Sequence, residues 1–116
     1  MMTMLNNKIL EGCNEEQKEL MRQVCFEDDQ NHTEETIFLL RRIIDISPTV
    51  PYAFALLGSI YLDQAQLLDA TYHYDKRRRK YIVARRKFYR DAIAHFEKAI
   101  ALKPDSPGTI LLLARA

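Results

Sequence analysis

Three histidines are the first candidates for acid–base or metal chemistry in this chain of 116 residues. His32, His73 and His95 are far apart in sequence, and none belongs to the His-x3-His spacing that holds a metal on a helix. His73 near Asp75 suggests a proton-transfer pair, although the commoner role of such a histidine is a hydrogen-bonded surface position. Without a convergent nucleophile, base and orienting group, we expect no catalytic residue, no metal and no cofactor.

Two cysteines could supply a thiolate or a disulfide. Cys13 and Cys25 lack the Cys-x2-Cys spacing of a zinc site and are too few for a disulfide framework. The expectation is a pair of buried or idle thiols in a reducing compartment, which means a cytoplasmic protein. No stretch approaches the ~20 uninterrupted apolar residues of a membrane-spanning helix.

The near-neutral total charge of +1 conceals two unlike segments. Residues 1–75 hold 13 acids and 5 bases, a net charge of −8, whereas residues 76–116 hold 12 bases and 3 acids, a net charge of +9. A basic segment over 76–90 accounts for most of the excess, and tyrosines interleave with it. Such a segment could bind phosphate, anionic lipid or an acidic protein face, or be a solvated helix tip. Its members are Lys76, Arg77, Arg78, Arg79, Lys80, Arg85, Arg86, Lys87 and Arg90.

Two prolines show how these residues are positioned. Pro48 and Pro104 each end an apolar helical stretch and precede another. The same spacing leads into both prolines: a small residue, two apolar residues at helical intervals, then proline. The two series are Thr36, Leu40, Ile43, Pro48 and Ala92, Phe96, Ala99, Pro104.

These patterns resemble the tetratricopeptide repeat (TPR) family, whose helix-turn-helix unit of ~34 residues carries an aromatic residue, Leu-Gly and Tyr, then Ala, Phe and Pro. In this chain Phe54, Leu57, Gly58 and Tyr61 match the first helix of the unit, and Ala92, Phe96, Ala99 and Pro104 match the second. Residues 17–50 resemble a weaker preceding repeat, and 107–116 resemble the start of a further repeat or a capping helix. The resemblance implies an all-α superhelix of antiparallel helix pairs over 17–116, after an N-terminal segment of 1–16.

One repeat departs from the family pattern. Gly58 and Ala92 are 34 residues apart, where a regular unit would separate them by about 12. No Gly or Pro occurs from 59 to 103, and apolar residues continue at helical spacing, so the ~22 extra residues should extend both helices. The extended helices either fold back as one hairpin or form one unbroken helix that is swapped with a second chain. The pattern predicts helices over 17–30, 34–47, 51–74, 79–103 and 107–116, and no β-sheet.

The resemblance implies a non-catalytic scaffold or adaptor that binds a peptide or protein in a concave face lined by the first helices. Binding of nucleic acid or an anionic surface through the basic segment is the alternative. The predicted peptide-binding groove consists of Lys18, Met21, Arg22, Cys25, Tyr52, Ala55, Leu56 and Ser59.

The C-terminal segment suggests self-association. Residues Ile110 to Leu113 are an uninterrupted apolar run, and a terminal repeat normally presents a polar outer face. The −8 and +9 segments of two copies would also attract one another. We therefore expect a homodimer with the long hairpin or the C-terminal helix in its interface.

Overall fold

The protein is all-α in a computed structural model that describes residues 10–30, 32–71, 78–105 and 107–115. Those ranges hold no strand, and their five helices are α1 (Glu15–Asp29), α2 (Thr33–Ile46), α3 (Pro51–Thr71), α4 (Arg78–Leu102) and α5 (Pro107–Arg115). The prediction of an all-α fold is confirmed, and the described helix bounds agree with the predicted ones to within two residues. The predicted end of the third helix at 74 and the tip of the basic segment at 76 and 77 lie outside the described residues.

The helix ends follow from their local sequences. At the start of α1, the Asn14 side chain accepts from the Gln17 backbone N–H at 2.8 Å, and the Gln17 side chain accepts from the Asn14 N–H at 3.0 Å. This reciprocal capping box satisfies two N–H groups that the helix itself leaves unbonded. Pro51 and Pro107 begin α3 and α5, where a missing N–H costs nothing.

Successive helices pack as antiparallel hairpins. The N-terminal turn of α1 meets the C-terminal end of α2, because Gln17 Nε2 donates to the carbonyls of Ile43 and Ser47. Along α3 and α4, Tyr61 stacks on Phe88 with ring centroids 6.3 Å apart, and Gly58 faces Phe96 further along. Helix α2 also packs on α3, and α5 packs on α4. Helix α4 packs on α3 of the same chain, and the residues that connect the two helices, 72–77, lie outside the described ranges.

The core lies between the two hairpins and along the α3–α4 seam. The residues predicted to fill the repeat are buried, with the exception of Pro104, which is exposed after the end of α4. The buried members are Phe54, Leu57, Gly58, Tyr61, Ala92, Phe96 and Ala99. Thr36, Leu40 and Ile43 of α2 are buried as well. The two proline-terminated series therefore form the inner faces of α2 and α4.

The turn at residues 10–14, before α1, contacts two other parts of the structure. Gly12 has a φ of +81°, a region that glycine adopts without strain, and a Cβ there would overlap the Thr49 carbonyl. The Thr49 hydroxyl donates to the Gly12 carbonyl at 2.9 Å, and Lys103 Nζ lies 2.8 Å from the Glu11 carboxylate. Residues 10–14, predicted as part of a separate N-terminal segment, thus contact both the α2–α3 connection and the end of α4.

A side chain at Gly58 should weaken the α3–α4 seam. A Cβ built there lies 2.7 Å from two carbons of the Phe96 ring, which is fully buried. We predict that Gly58→Leu destabilises the fold by about 1–3 kcal/mol, the range for overpacked cores. Gly108→Ala is the control, because nothing lies within 4 Å of its Cβ. Thermal denaturation followed by circular dichroism measures both, and an unchanged melting temperature for Gly58→Leu would contradict this packing.

Removal of the Gln17 amide should also destabilise the protein. Gln17 is buried, and its amide donates to Ile43 at 2.8 Å and to Ser47 at 3.0 Å. Gln17→Leu leaves those helix-end carbonyls without this donor, which costs about 1–3 kcal/mol for a buried group. The control is Gln23→Leu, at an exposed position of the same helix. Equal urea midpoints for the two variants would show that the Gln17 bonds contribute nothing.

Candidate functional site

The predicted peptide-binding groove divides into accessible and buried residues. Lys18, Cys25 and the four α3 members are half-buried, and Arg22 is exposed beside Glu19, to which its guanidinium donates at 2.9 Å. Met21 is fully buried among core residues and is not part of an open surface. It occupies the inward stripe of α1 together with Gln17, Leu20 and Val24.

Tyr52 is where the α1 and α3 parts of the groove meet. Burial raises the pKa of the Tyr52 phenol, and the negative charges of Cys25 and Asp28 raise it further. Partial desolvation and then the Asp28 carboxylate also raise the pKa of Asp63, one turn beyond Ser59 on α3. The C-terminal half of α1 therefore lies near enough to α3 for the Asp28 carboxylate to act on Tyr52 and on Asp63.

A cleft of about 280 Å³ continues this surface toward α5. Tyr52 and Ala55 line its α3 side, and Ala99 and Lys103 line its α4 side. Pro107, Gly108 and Thr109, at the start of α5, close the third side. Two residues of the predicted groove are thus brought to a concave site at the meeting of three helices.

The outer face of α4 carries the described basic side chains, which begin at Lys80. Lys80, Arg86, Lys87 and Arg90 are exposed, and the Arg85 guanidinium lies 5.9 Å from the Tyr89 ring centroid. A groove of about 500 Å³, the basic groove, runs along this face. Its lining mixes three arginines, an apolar floor and one carboxylate: Arg85, Arg86, Tyr89, Arg90, Ile93, Ala94 and Glu97.

The first hairpin carries an acidic hollow that the sequence pattern does not indicate. Gln23, Glu27, Glu34, Glu35, Phe38 and Leu39 line a hollow of about 350 Å³ between α1 and α2. Phe38 is 63% exposed within this ring of carboxylates. Its position beside the buried stripe of Thr36, Leu40 and Ile43 is the one sequence feature that could have indicated an outward ring.

The chemistry-bearing side chains do not converge. His32 Nδ1 is bonded to the Glu27 carboxylate, and His95 Nδ1 lies 2.6 Å from the Asp91 carbonyl while its ring packs near Tyr61. His73 lies outside the described residues. Burial raises the pKa of the Cys13 thiol despite the opposing effect of Lys18, and the two cysteines form no disulfide. Within the described ranges, no three histidine, cysteine or acidic side chains come together as a metal site.

Comparisons with protein-family models, curated proteins and solved structures each gave no match. None of the described helices combines the length and apolarity needed to cross a membrane. The half-exposed Ile110 and Leu111 lie on the outer side of α5, which has no fully buried residue.

The pKa of Tyr52 provides a test of the α1–α3 contact. We expect the Tyr52 phenol to ionise above the ordinary value of 10.0, and Asp28→Asn to lower that pKa by removing a negative charge. The pKa of Tyr52 is higher in the folded state than in the unfolded state. The contribution of Tyr52 to the free energy of unfolding is therefore complete below its unfolded pKa and is lost as the pH rises through its folded pKa.

Ultraviolet difference titration against Tyr52→Phe isolates this phenol from the other five tyrosines. Glu16→Gln, an exposed change near the opposite end of α1, is the control and should leave the Tyr52 pKa unchanged. A Tyr52 pKa that ignores Asp28→Asn would contradict the shared surface.

Proposed function

We propose that this chain is a non-catalytic protein-interaction module of the TPR-like type, a cytoplasmic scaffold or adaptor that forms a homodimer. Its binding surface is the face shared by α1 and α3 together with the cleft that leads to α5. The partner is a peptide or an exposed protein segment.

The position of Tyr52 is the observation that carries this proposal. Its side chain lines the cleft together with Ala55, and it lies near enough to α1 for the Asp28 carboxylate to raise the pKa of its phenol. Helix α3 therefore contributes two residues of the predicted groove to a concavity that α4 and the start of α5 complete, and a module that binds an extended segment needs a concavity of this kind. The buried Gly58–Phe96 contact supports the same arrangement, since it brings α3 and α4 close together.

The chemistry of the surface favours one class of segment. Tyr52 and Leu56 are half-buried, and Asp28 and Asp63 are exposed along the same face. Apolar side chains would pack on Tyr52 and Leu56, while basic side chains would be attracted to the two carboxylates. A basic-apolar segment is therefore the expected ligand.

The alternative function, nucleic-acid binding through the basic segment, is supported by the exposed Lys80, Arg86 and Arg90. The lining of the basic groove weighs against nucleic-acid binding, because Glu97 would repel phosphate and Ile93 contributes an apolar floor. A salt titration with labelled single-stranded RNA tests this alternative, since phosphate contacts weaken steeply as salt rises.

The interaction surface is tested by a change that fills the cleft. Ala55→Arg places a long cation among Tyr52, Ala99 and Lys103 and should abolish capture of the partner. Ala101→Arg introduces the same side chain at an exposed α4 position and should leave capture unchanged. Quantitative affinity purification after nuclease treatment, with both variants and the wild type in parallel, measures the difference.

Two further readouts make the result decisive. Melting temperatures must be similar for the two variants, so that lost capture reflects the surface and not the fold. Bound segments are then mapped by limited proteolysis, and basic-apolar sequences should be enriched. Identical captured sets for Ala55→Arg and the wild type would refute the proposed surface.

A further inference from the structure

The acidic hollow of the first hairpin and the basic groove of α4 have opposite charge, and Phe38 is exposed at the acidic one. The acidic hollow has a volume of about 350 Å³ and carries Glu27, Glu34 and Glu35 around an exposed phenylalanine. The basic groove has a volume of about 500 Å³ and carries three arginines over an apolar floor. Each surface has the features that the other would need in a partner.

The order of side chains along the two helices is also complementary. On α2, the exposed Glu35, Phe38 and Arg42 follow one another at helical spacing. On α4, Arg90, Ile93 and Glu97 all line the basic groove. Arg42 is seven positions after Glu35, and Glu97 is seven positions after Arg90. Parallel alignment of the helices thus sets acid against base, phenylalanine against isoleucine, and base against acid.

The direction of the helices agrees with that alignment. Helix α4 runs antiparallel to α3, as the Tyr61–Phe88 and Gly58–Phe96 contacts require. Helix α2 approaches α3 through the short 47–50 connection, and Arg41 donates to the Tyr61 hydroxyl, so α2 also runs antiparallel to α3. Helices α2 and α4 are therefore parallel, and a two-fold axis along their common direction keeps the α2 of a second copy parallel to α4.

We propose that the basic groove binds a second copy of this chain. Phe38 of the second copy packs on Ile93 and Ala94, between Arg90 and Glu97. Because each copy carries both surfaces, the contact forms twice in a two-fold dimer. An aromatic anchor enclosed by paired charges is the arrangement that concentrates binding energy at protein interfaces. This inference rests on the homodimer of the proposed function and is independent of the α1–α3 binding surface.

Charge reversal tests the pairing. Arg90→Glu and Glu35→Lys should each convert the dimer to a monomer of about 13.6 kDa in light scattering at micromolar concentration and low salt. An equimolar mixture of the two variants should restore the dimeric mass, because each altered surface then meets its opposite on the other variant. Lys98→Glu and Glu16→Lys carry the same charge changes at exposed positions outside both grooves and should remain dimeric.

Every other result overturns the inference. A monomeric wild type excludes both this contact and the homodimer, while the capture assay with Ala55→Arg still tests the binding surface. A dimer that survives both reversals but is lost in Ile110→Glu would place the interface on α5 and not on α4. Dimer mass unaffected by Arg90→Glu, with RNA binding lost, would assign the groove to nucleic acid. Circular dichroism of every variant must match the wild type.

Discussion

The close approach of α3 and α4 at Gly58 is the constraint on which the second half of the structure depends. Phe96, the largest fully buried side chain among the described residues, occupies the space that any Cβ at residue 58 would take. The ring fixes the rotation of α4 about its axis, since Ala92 and Ala99 must then face inward as well. That rotation leaves Arg86, Arg90 and Glu97 outside, and it positions α5, which packs on α4. The absence of a side chain at Gly58 therefore determines which face of α4 is exposed.

Buried polar bonds as well as apolar contacts hold the first hairpin together. Gln17 uses its oxygen to cap α1 and its nitrogen to bind the last carbonyls of α2, so a single buried amide joins the open ends of two helices. The Gly12–Thr49 and Glu11–Lys103 contacts then tie the preceding turn to the α2–α3 connection and to α4. Because a buried amide without partners is costly, these bonds also define the register of α1 on α2.

The sequence predicted what depends on local chemistry and missed what depends on distant main-chain atoms. Pro48 and Pro104 predicted where α2 and α4 end, and the apolar intervals before them predicted the inner faces, because both effects act within a few residues. The partners of Gln17 are main-chain carbonyls 26 and 30 residues away, which no side-chain pattern records. The register of the weak first repeat places Met21 in the groove. Met21 follows Gln17 by four residues and precedes Val24 by three, however, and this is the spacing of a buried stripe. The acidic hollow was missed because the type and spacing of Phe38 do not distinguish a core ring from an exposed one.

The separation of charge along the chain becomes informative once the helices are placed. The ion pairs of α1, Lys18–Glu15 and Arg22–Glu19, each lie within one turn of the same helix, where such a pair contributes only about 0.2–0.5 kcal/mol. Glu34 and Glu35 of α2 and Arg86 and Arg90 of α4 are exposed, and these two groups belong to helices that are both packed against α3. Folding does not require that arrangement, because Phe96, Leu57 and Leu40 hold the helices together whatever charge their outer faces carry. In the proposed dimer the acidic surface of α2 pairs with the basic surface of α4 from the second copy, and the equal intervals on the two helices give that pairing a register.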